Sequence, residues 1–102
     1  MTEWADANGI RTAYDIAGHG RPLLLIHGAE GGRQMFAPFV RELVPDFTVI
    51  AYDQRVCGET VSEPRASTLE ELAADAAALL QALGVPAAYV YGTSFGSRVA
   101  QL

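Results

Sequence analysis

Apolar and polar residues recur with two different periods along this chain. Residues 2–7 and 10–16 flank Asn8-Gly9, a dipeptide suited to the left-handed angles of a tight hairpin turn. In the second arm Ile10, Thr12, Tyr14 and Ile16 share one face, and Arg11, Ala13 and Asp15 the other, so the alternation predicts two antiparallel strands. Gly18-His19-Gly20 reads as a loop. Residues 22–27 then hold Leu23-Leu24-Leu25-Ile26, an unbroken apolar run of the kind expected where both strand faces are covered. Phe47 to Tyr52 and Ala87 to Tyr91 are further strands of this type.

Between the strands the spacing changes to three and four. Met35, Phe36, Phe39, Val40, Leu43 and Val44 lie on one helical face. Pro38 is tolerated only in a first turn, so the regular helix is expected from about Ala37, with Pro45 ending it. Ser67-Thr68-Leu69-Glu70 reads as a capping box of Ser67 with Glu70. Leu69, Leu72, Ala73, Ala76, Leu79, Leu80 and Leu83 continue it as one stripe, and Gly84 with Pro86 supplies the stop. The order is hairpin, β, α, β, α, β, turn, α. Such alternation implies an α/β fold: a mostly parallel sheet with an N-terminal antiparallel hairpin and flanking helices. No repeat or composition break divides residues 1–102, so a single domain is expected.

Composition narrows the function classes. Half of the 102 residues are apolar and 19% are charged, as in ordinary globular domains. The net charge is −5 and there is no lysine, so there is no basic stripe for a nucleic acid. The lone Cys57 excludes an internal disulfide, and no Cys/His spacing suggests a metal. Neither a basic-then-apolar leader nor a run of ~20 apolar residues is visible, so a cytoplasmic chain without membrane partners is expected.

The candidate chemistry sits in Val90-Tyr91-Gly92-Thr93-Ser94-Phe95-Gly96-Ser97, a Gly-x-Ser-x-Gly pattern entered from a strand and left by helix-compatible residues. A serine on such a tight turn needs small neighbours two positions either side, and Gly92 and Gly96 provide that room. Ser94 would stand at a helix start, where free backbone N–H groups favour negative charge. The plainer alternative is a serine that only caps the helix.

Three landmarks coincide in order: His27-Gly28 after one strand, Tyr52-Asp53-Gln54-Arg55-x-x-Gly58 after the next, and Gly92-Thr93-Ser94-Phe95-Gly96 after the third. Together they resemble the N-terminal half of the α/β-hydrolase family, nearest to its esterase, enol-lactonase and haloperoxidase-like members. The resemblance implies a truncated α/β-hydrolase fold and a serine hydrolase. Ser94 would be the nucleophile on the nucleophile elbow. The oxyanion hole would use the backbone N–H groups of Phe95 and of the loop after Gly28, at Ala29. His27 and Gly28 would support that loop, the His27 ring by hydrogen bonding. No cofactor is implied, and the substrate would be a small ester, thioester or lactone.

The resemblance also implies that Asp53 and Arg55 tie a loop to the sheet rather than act as acid and base. Cys57 reads as an inert thiol, His19 as a solvated turn residue, and Met35, Phe36 and Phe39 as core rather than substrate pocket. The family's segment after Arg55 usually reads Gly-His-Gly; here it is Val56-Cys57-Gly58, with a β-branched residue where the backbone needs special angles. The family's later strands, acid and histidine have no counterpart in this sequence. The isolated chain is therefore expected to show little activity, the alternative being a non-catalytic fragment or a half that pairs with a second chain, or as a homo-oligomer, through an exposed sheet edge. A nucleotide-binding domain ranks lower, since neither Gly-x-Gly-x-x-Gly nor a P-loop occurs.

Overall fold

The computed structural model describes residues 2–28, 31–63 and 68–92. The hairpin comprises β1 (Glu3–Ala7) and β2 (Ile10–Gly18), turning at Asn8 (φ 51°) and Gly9 (φ 79°). These two positive φ values are what a hairpin turn matching strand twist demands. The chain continues through β3 (Arg21–Ile26), a 3₁₀ turn (Arg33–Phe36), α1 (Ala37–Leu43), β4 (Phe47–Tyr52), α2 (Leu69–Ala82) and β5 (Tyr89–Gly92). The five strands form one mixed sheet in the order β1-β2-β4-β3-β5. β2 runs antiparallel to β1 and β4, while β3 runs parallel to β4 and β5.

The chain steps from β3 to β4 on one side, then crosses to β5 on the other. Crossovers of one hand that step in opposite directions must lie on opposite faces. The core divides accordingly. Leu23, Leu25, Val49 and Ala51 pack with Phe36 and the α1 side chains Val40 and Leu43. Leu24, Ile26, Ile50 and Tyr52 pack with Leu72, Ala76 and Leu79 of α2. The period of two in β3 and β4 thus feeds alternate residues to two separate cores, which explains their unbroken apolar runs.

Several expectations are corrected. The capping box belongs to Thr68 and Glu71, not Ser67 and Glu70. The Glu71 N–H donates to Thr68 Oγ1 (3.0 Å) and the Thr68 N–H to Glu71 Oε1 (3.1 Å). Thr68 is where extended backbone (φ −86°, ψ 160°) gives way to helix, and that breakpoint selects between two overlapping Ser/Thr-x-x-Glu patterns. Ser67 lies outside the described residues. The stop is as expected: Gly84 takes φ 72°, and the Gly84 and Val85 N–H groups close on Gln81 O and Leu80 O.

The last strand begins at Tyr89 rather than Ala87, because pairing with β3 starts at Leu23↔Tyr89. Met35 and Phe39, read as core, are 43% and 55% exposed, and only Phe36 is buried. The 3₁₀ turn breaks the helical phase before α1 begins, so one continuous stripe does not form. Ile16 is likewise exposed, whereas Ala13 on the opposite face of β2 is fully buried. Among the described residues no helix is long and apolar enough to cross a membrane.

Candidate active site

The register of three parallel strands decides which segments meet. Leu25 lies opposite Ala51, and Ile26 opposite Gly92. The C-terminal ends of β3, β4 and β5 therefore lie side by side at one end of the sheet. In open α/β sheets ligands bind outside the carboxyl ends of strands, where successive crossovers part to opposite sides. Here that place is β3. His27 and Gly28 leave β3 there, and Asp53, Gln54 and Arg55 leave β4. Gly92 is the last described residue of β5. Ser94, Phe95 and Gly96 of the elbow, and Ala29 of the oxyanion loop, lie outside the described residues.

His27 is fully buried, and its partners define its tautomer. The Gln54 backbone N–H donates to His27 Nε2 (3.0 Å), so Nε2 carries a lone pair. The ring proton then sits on Nδ1, which donates to Gly28 O (2.7 Å). The Gln54 side-chain Nε2 donates to His27 O (2.8 Å). Its 3.5 Å approach to His27 Nδ1 is donor to donor and carries no bond. Gly28 O also accepts from the Gly31 N–H (3.1 Å). His27 thus has both nitrogens engaged and neither free to take a proton from a nucleophile. His19 lies before β3, at the opposite end of the sheet, and is exposed.

Asp53 is the second hub, also fully buried. Its carboxylate accepts from the Arg33 N–H (2.7 Å), the Glu59 N–H (2.9 Å) and the Arg33 guanidinium. The guanidinium also reaches Asp15 (3.1 Å), Glu59 (2.7 Å) and Thr2 Oγ1 (2.6 Å). Burial alone would lower the Arg33 pKa, but the carboxylates of Glu59, Asp53 and Asp15 outweigh it and hold the guanidinium charged. The Thr60 hydroxyl donates to Asp53 O (2.6 Å) while accepting from the Ala13 N–H (3.0 Å), locking the loop after β4 to β2. Asp53 and Gln54 therefore hold the two ends of the segment from His27 to Arg33.

The next residues follow from that packing. Gly58 (φ +50°) lies so close to the Asp53 carboxylate that a Cβ would overlap both oxygens. Val56 takes φ 64°, the left-handed region that a β-branched side chain disfavours. Arg55 turns away from Asp53 and pairs with buried Asp75 of α2 through two bonds of 2.9 Å. That pairing, followed by burial opposing it, leaves the Arg55 pKa raised. Asn8 of the hairpin turn adds a 2.7 Å bond to the same carboxylate. Burial, then Asp53, pushes the Cys57 thiol pKa up, away from reactive thiolate.

Sequence reasoning did not single out Arg33, Asp75 or the side-chain role of Gln54. Asp75 left a signal, a charge next to Ala76 on the apolar stripe of α2, where an unpaired carboxylate would be costly. Arg33 left none: it follows a glycine-rich turn, and its partners come from residues 2, 15, 53 and 59.

This chain is similar to proteins of known structure and sequence. The N-formylmaleamic acid deformylase of Pseudomonas putida S16 superposes with a TM-score of 0.88 at 31% identity, covering 98% of this chain and 39% of that one. RutD of Azorhizobium caulinodans is 35% identical over 86 residues, 84% of this chain and 32% of its own. The soluble epoxide hydrolase of Corynebacterium sp. strain C12 is 33% identical over 93 residues, 91% of this chain and 32% of its own. The chain thus spans about a third of the length of these relatives. With the family profile matching residues 21–102, and with the strand order and strand exits described above, the chain belongs to the alpha/beta hydrolase fold family.

Proposed function

We propose that residues 1–102 form the N-terminal part of a serine hydrolase domain, with Ser94 as nucleophile. The observation that carries this reading is the pairing of Ile26 with Gly92. It brings the segment after β3, with its hydrogen-bonded turn, beside the segment that continues into Gly92-Thr93-Ser94-Phe95-Gly96. Backbone N–H groups of Ala29 and Phe95 would then bind the oxyanion of a tetrahedral intermediate, each worth ~2.7–4 kcal/mol of barrier. His27, Gly28, Gly92 and Gly96 supply the frame.

The nucleophile's chemistry favours acyl substrates over the epoxides that one relative's name indicates. A serine oxygen that opened an epoxide would form an ether, which water does not cleave. Attack on an ester, thioester or lactone carbonyl forms an acyl-enzyme, which water does cleave. Neither histidine is placed as base, so in this reading a base outside residues 1–102 would take the Ser94 proton, on the same polypeptide or on a partner seated at the β5 edge. Tyr89, Val90 and Tyr91, 44–55% exposed on that edge strand, suit such a partner.

The test supplies the missing base. A fluorophosphonate incubated with the chain should phosphonylate Ser94 slowly, and imidazole should accelerate it in proportion to its concentration. Ser94→Ala should remain unlabelled. Labelling elsewhere, or a rate unchanged by Ser94→Ala, overturns the assignment. Efficient ester turnover by the chain alone would overturn the external base.

A further inference from the structure

We propose that Gln54 is a positioning residue for the oxyanion loop, acting through the ring and carbonyl of His27; this rests on the oxyanion role assigned above. The bonds form a directed relay. Gln54 donates twice to His27, from its backbone N–H to Nε2 (3.0 Å) and from its side-chain Nε2 to the carbonyl (2.8 Å). The first bond leaves the ring proton on Nδ1, and that proton goes to Gly28 O (2.7 Å). The Gly31 N–H meets the same oxygen (3.1 Å). The plane of the peptide after Gly28 is therefore held by two donors on its carbonyl.

In a trans peptide the carbonyl oxygen and the following amide hydrogen point opposite ways. Fixing the Gly28 oxygen is thus the means by which these residues aim the amide that follows it, the one assigned to the oxyanion. A misplacement of about 1 Å at such a group costs on the order of 10²-fold in rate.

A second observation separates this role from space filling. Gln54 is 4% exposed, yet its Oε1 is buried with no hydrogen-bond partner among the described residues. A side chain present only to fill the site would do better without that orphaned acceptor, as methionine would. The bond from Nε2 to His27 O accounts for the amide. It also fixes the amide orientation, since a flip would set two carbonyl oxygens against each other.

The experiment uses the whole chain and two variants, Gln54→Met and, as control, Tyr52→Phe. Tyr52 precedes the same segment and also carries a buried hydroxyl without a hydrogen-bond partner among the described residues, but faces α2 rather than the loop. In the wild type, ¹⁵N spectra of the His27 ring should show the proton on Nδ1. In Q54M the ring proton should stay on Nδ1, because the backbone N–H donor to Nε2 remains, while the Gly31 amide should exchange at least tenfold faster once the bond to His27 O is lost. Imidazole-assisted phosphonylation of Ser94 should slow about tenfold. The urea midpoint should stay close to wild type, because a lost bond and a lost orphan oxygen oppose each other. Y52F should leave ring, exchange and labelling unchanged.

A wild-type proton on Nε2 overturns the relay, and so does a Q54M chain with unaltered Gly31 exchange. If Q54M lowers the urea midpoint while it speeds Gly31 exchange, the role is structural and the proposal fails. If wild-type Ser94 takes no label while the wild-type ring proton lies on Nδ1 and the Q54M exchange is faster as stated, the nucleophile assignment fails and the relay stands.

Discussion

Replacing Gly58 by alanine should be among the most damaging single-methyl changes in this chain. Two effects act there. The first is backbone: φ +50° costs an L-residue about 1–2 kcal/mol, offset by ~0.4–1 kcal/mol because alanine has less unfolded-state freedom to lose. The second is overlap with the Asp53 carboxylate, whose oxygens lie within 2.7 Å of the added carbon or closer. That carboxylate cannot retreat without losing the Arg33 and Glu59 donors. Separating a buried ion pair costs about 3–5 kcal/mol.

The sum, roughly 3–6 kcal/mol, compares with a total stability of about 5–15 kcal/mol for a domain. It corresponds to a fall in Tm of at least about 12 °C at this size. Gly84→Ala isolates the backbone effect, since φ is +72° there and no atom lies within 4 Å of the added Cβ. Urea unfolding followed by circular dichroism should show Gly84→Ala losing about 1 kcal/mol and Gly58→Ala several times that, with unchanged slope. Equal losses in the two variants would refute the reasoning, because the carboxylate would then be free to move.

Two further outcomes follow from the same loop. Val56→Gly should raise stability by about 0.5–1 kcal/mol, since relief of a left-handed β-branched residue exceeds the entropy glycine adds to the unfolded chain; a loss above 1 kcal/mol in the urea midpoint would count against it. Cys57, whose pKa is raised by burial and by Asp53, favours the folded state while it stays a neutral thiol. That contribution is complete below the ordinary thiol value of 9.0 and is lost as pH rises through the higher folded value, so stability should fall above pH 9 and Cys57→Ser should abolish that part of the fall.

Much of the frame was legible in one dimension. Hairpin, strands and helices depend on local rules: positive φ at Asn8-Gly9, period two or unbroken apolar runs in strands, and spacings of three and four in α2. The strand exits at His27-Gly28 and at Asp53 to Gly58 were legible for the same reason, since tight turns after strands need particular residues nearby; the turn expected after Gly92 lies outside the described residues. Where two local readings overlapped, as with Ser67-Glu70 and Thr68-Glu71, the sequence could not choose. Backbone geometry chose.

The sheet order and the site's internal wiring belong to the tertiary structure. Nothing local says that β2 pairs with β4, or that β3 lies between β4 and β5. Those neighbours are set by which apolar faces can be covered at once. Arg33 meets Asp53, Asp15, Glu59 and Thr2, and Arg55 meets Asp75, across sequence separations of 18 to 31 residues. Partners so far apart leave no period to read. Gln54 likewise looks like any polar loop residue until β3 and β4 lie side by side and its amide falls against His27. Residue types fixed what chemistry is available at these strand ends; only the folded sheet decided which groups face each other.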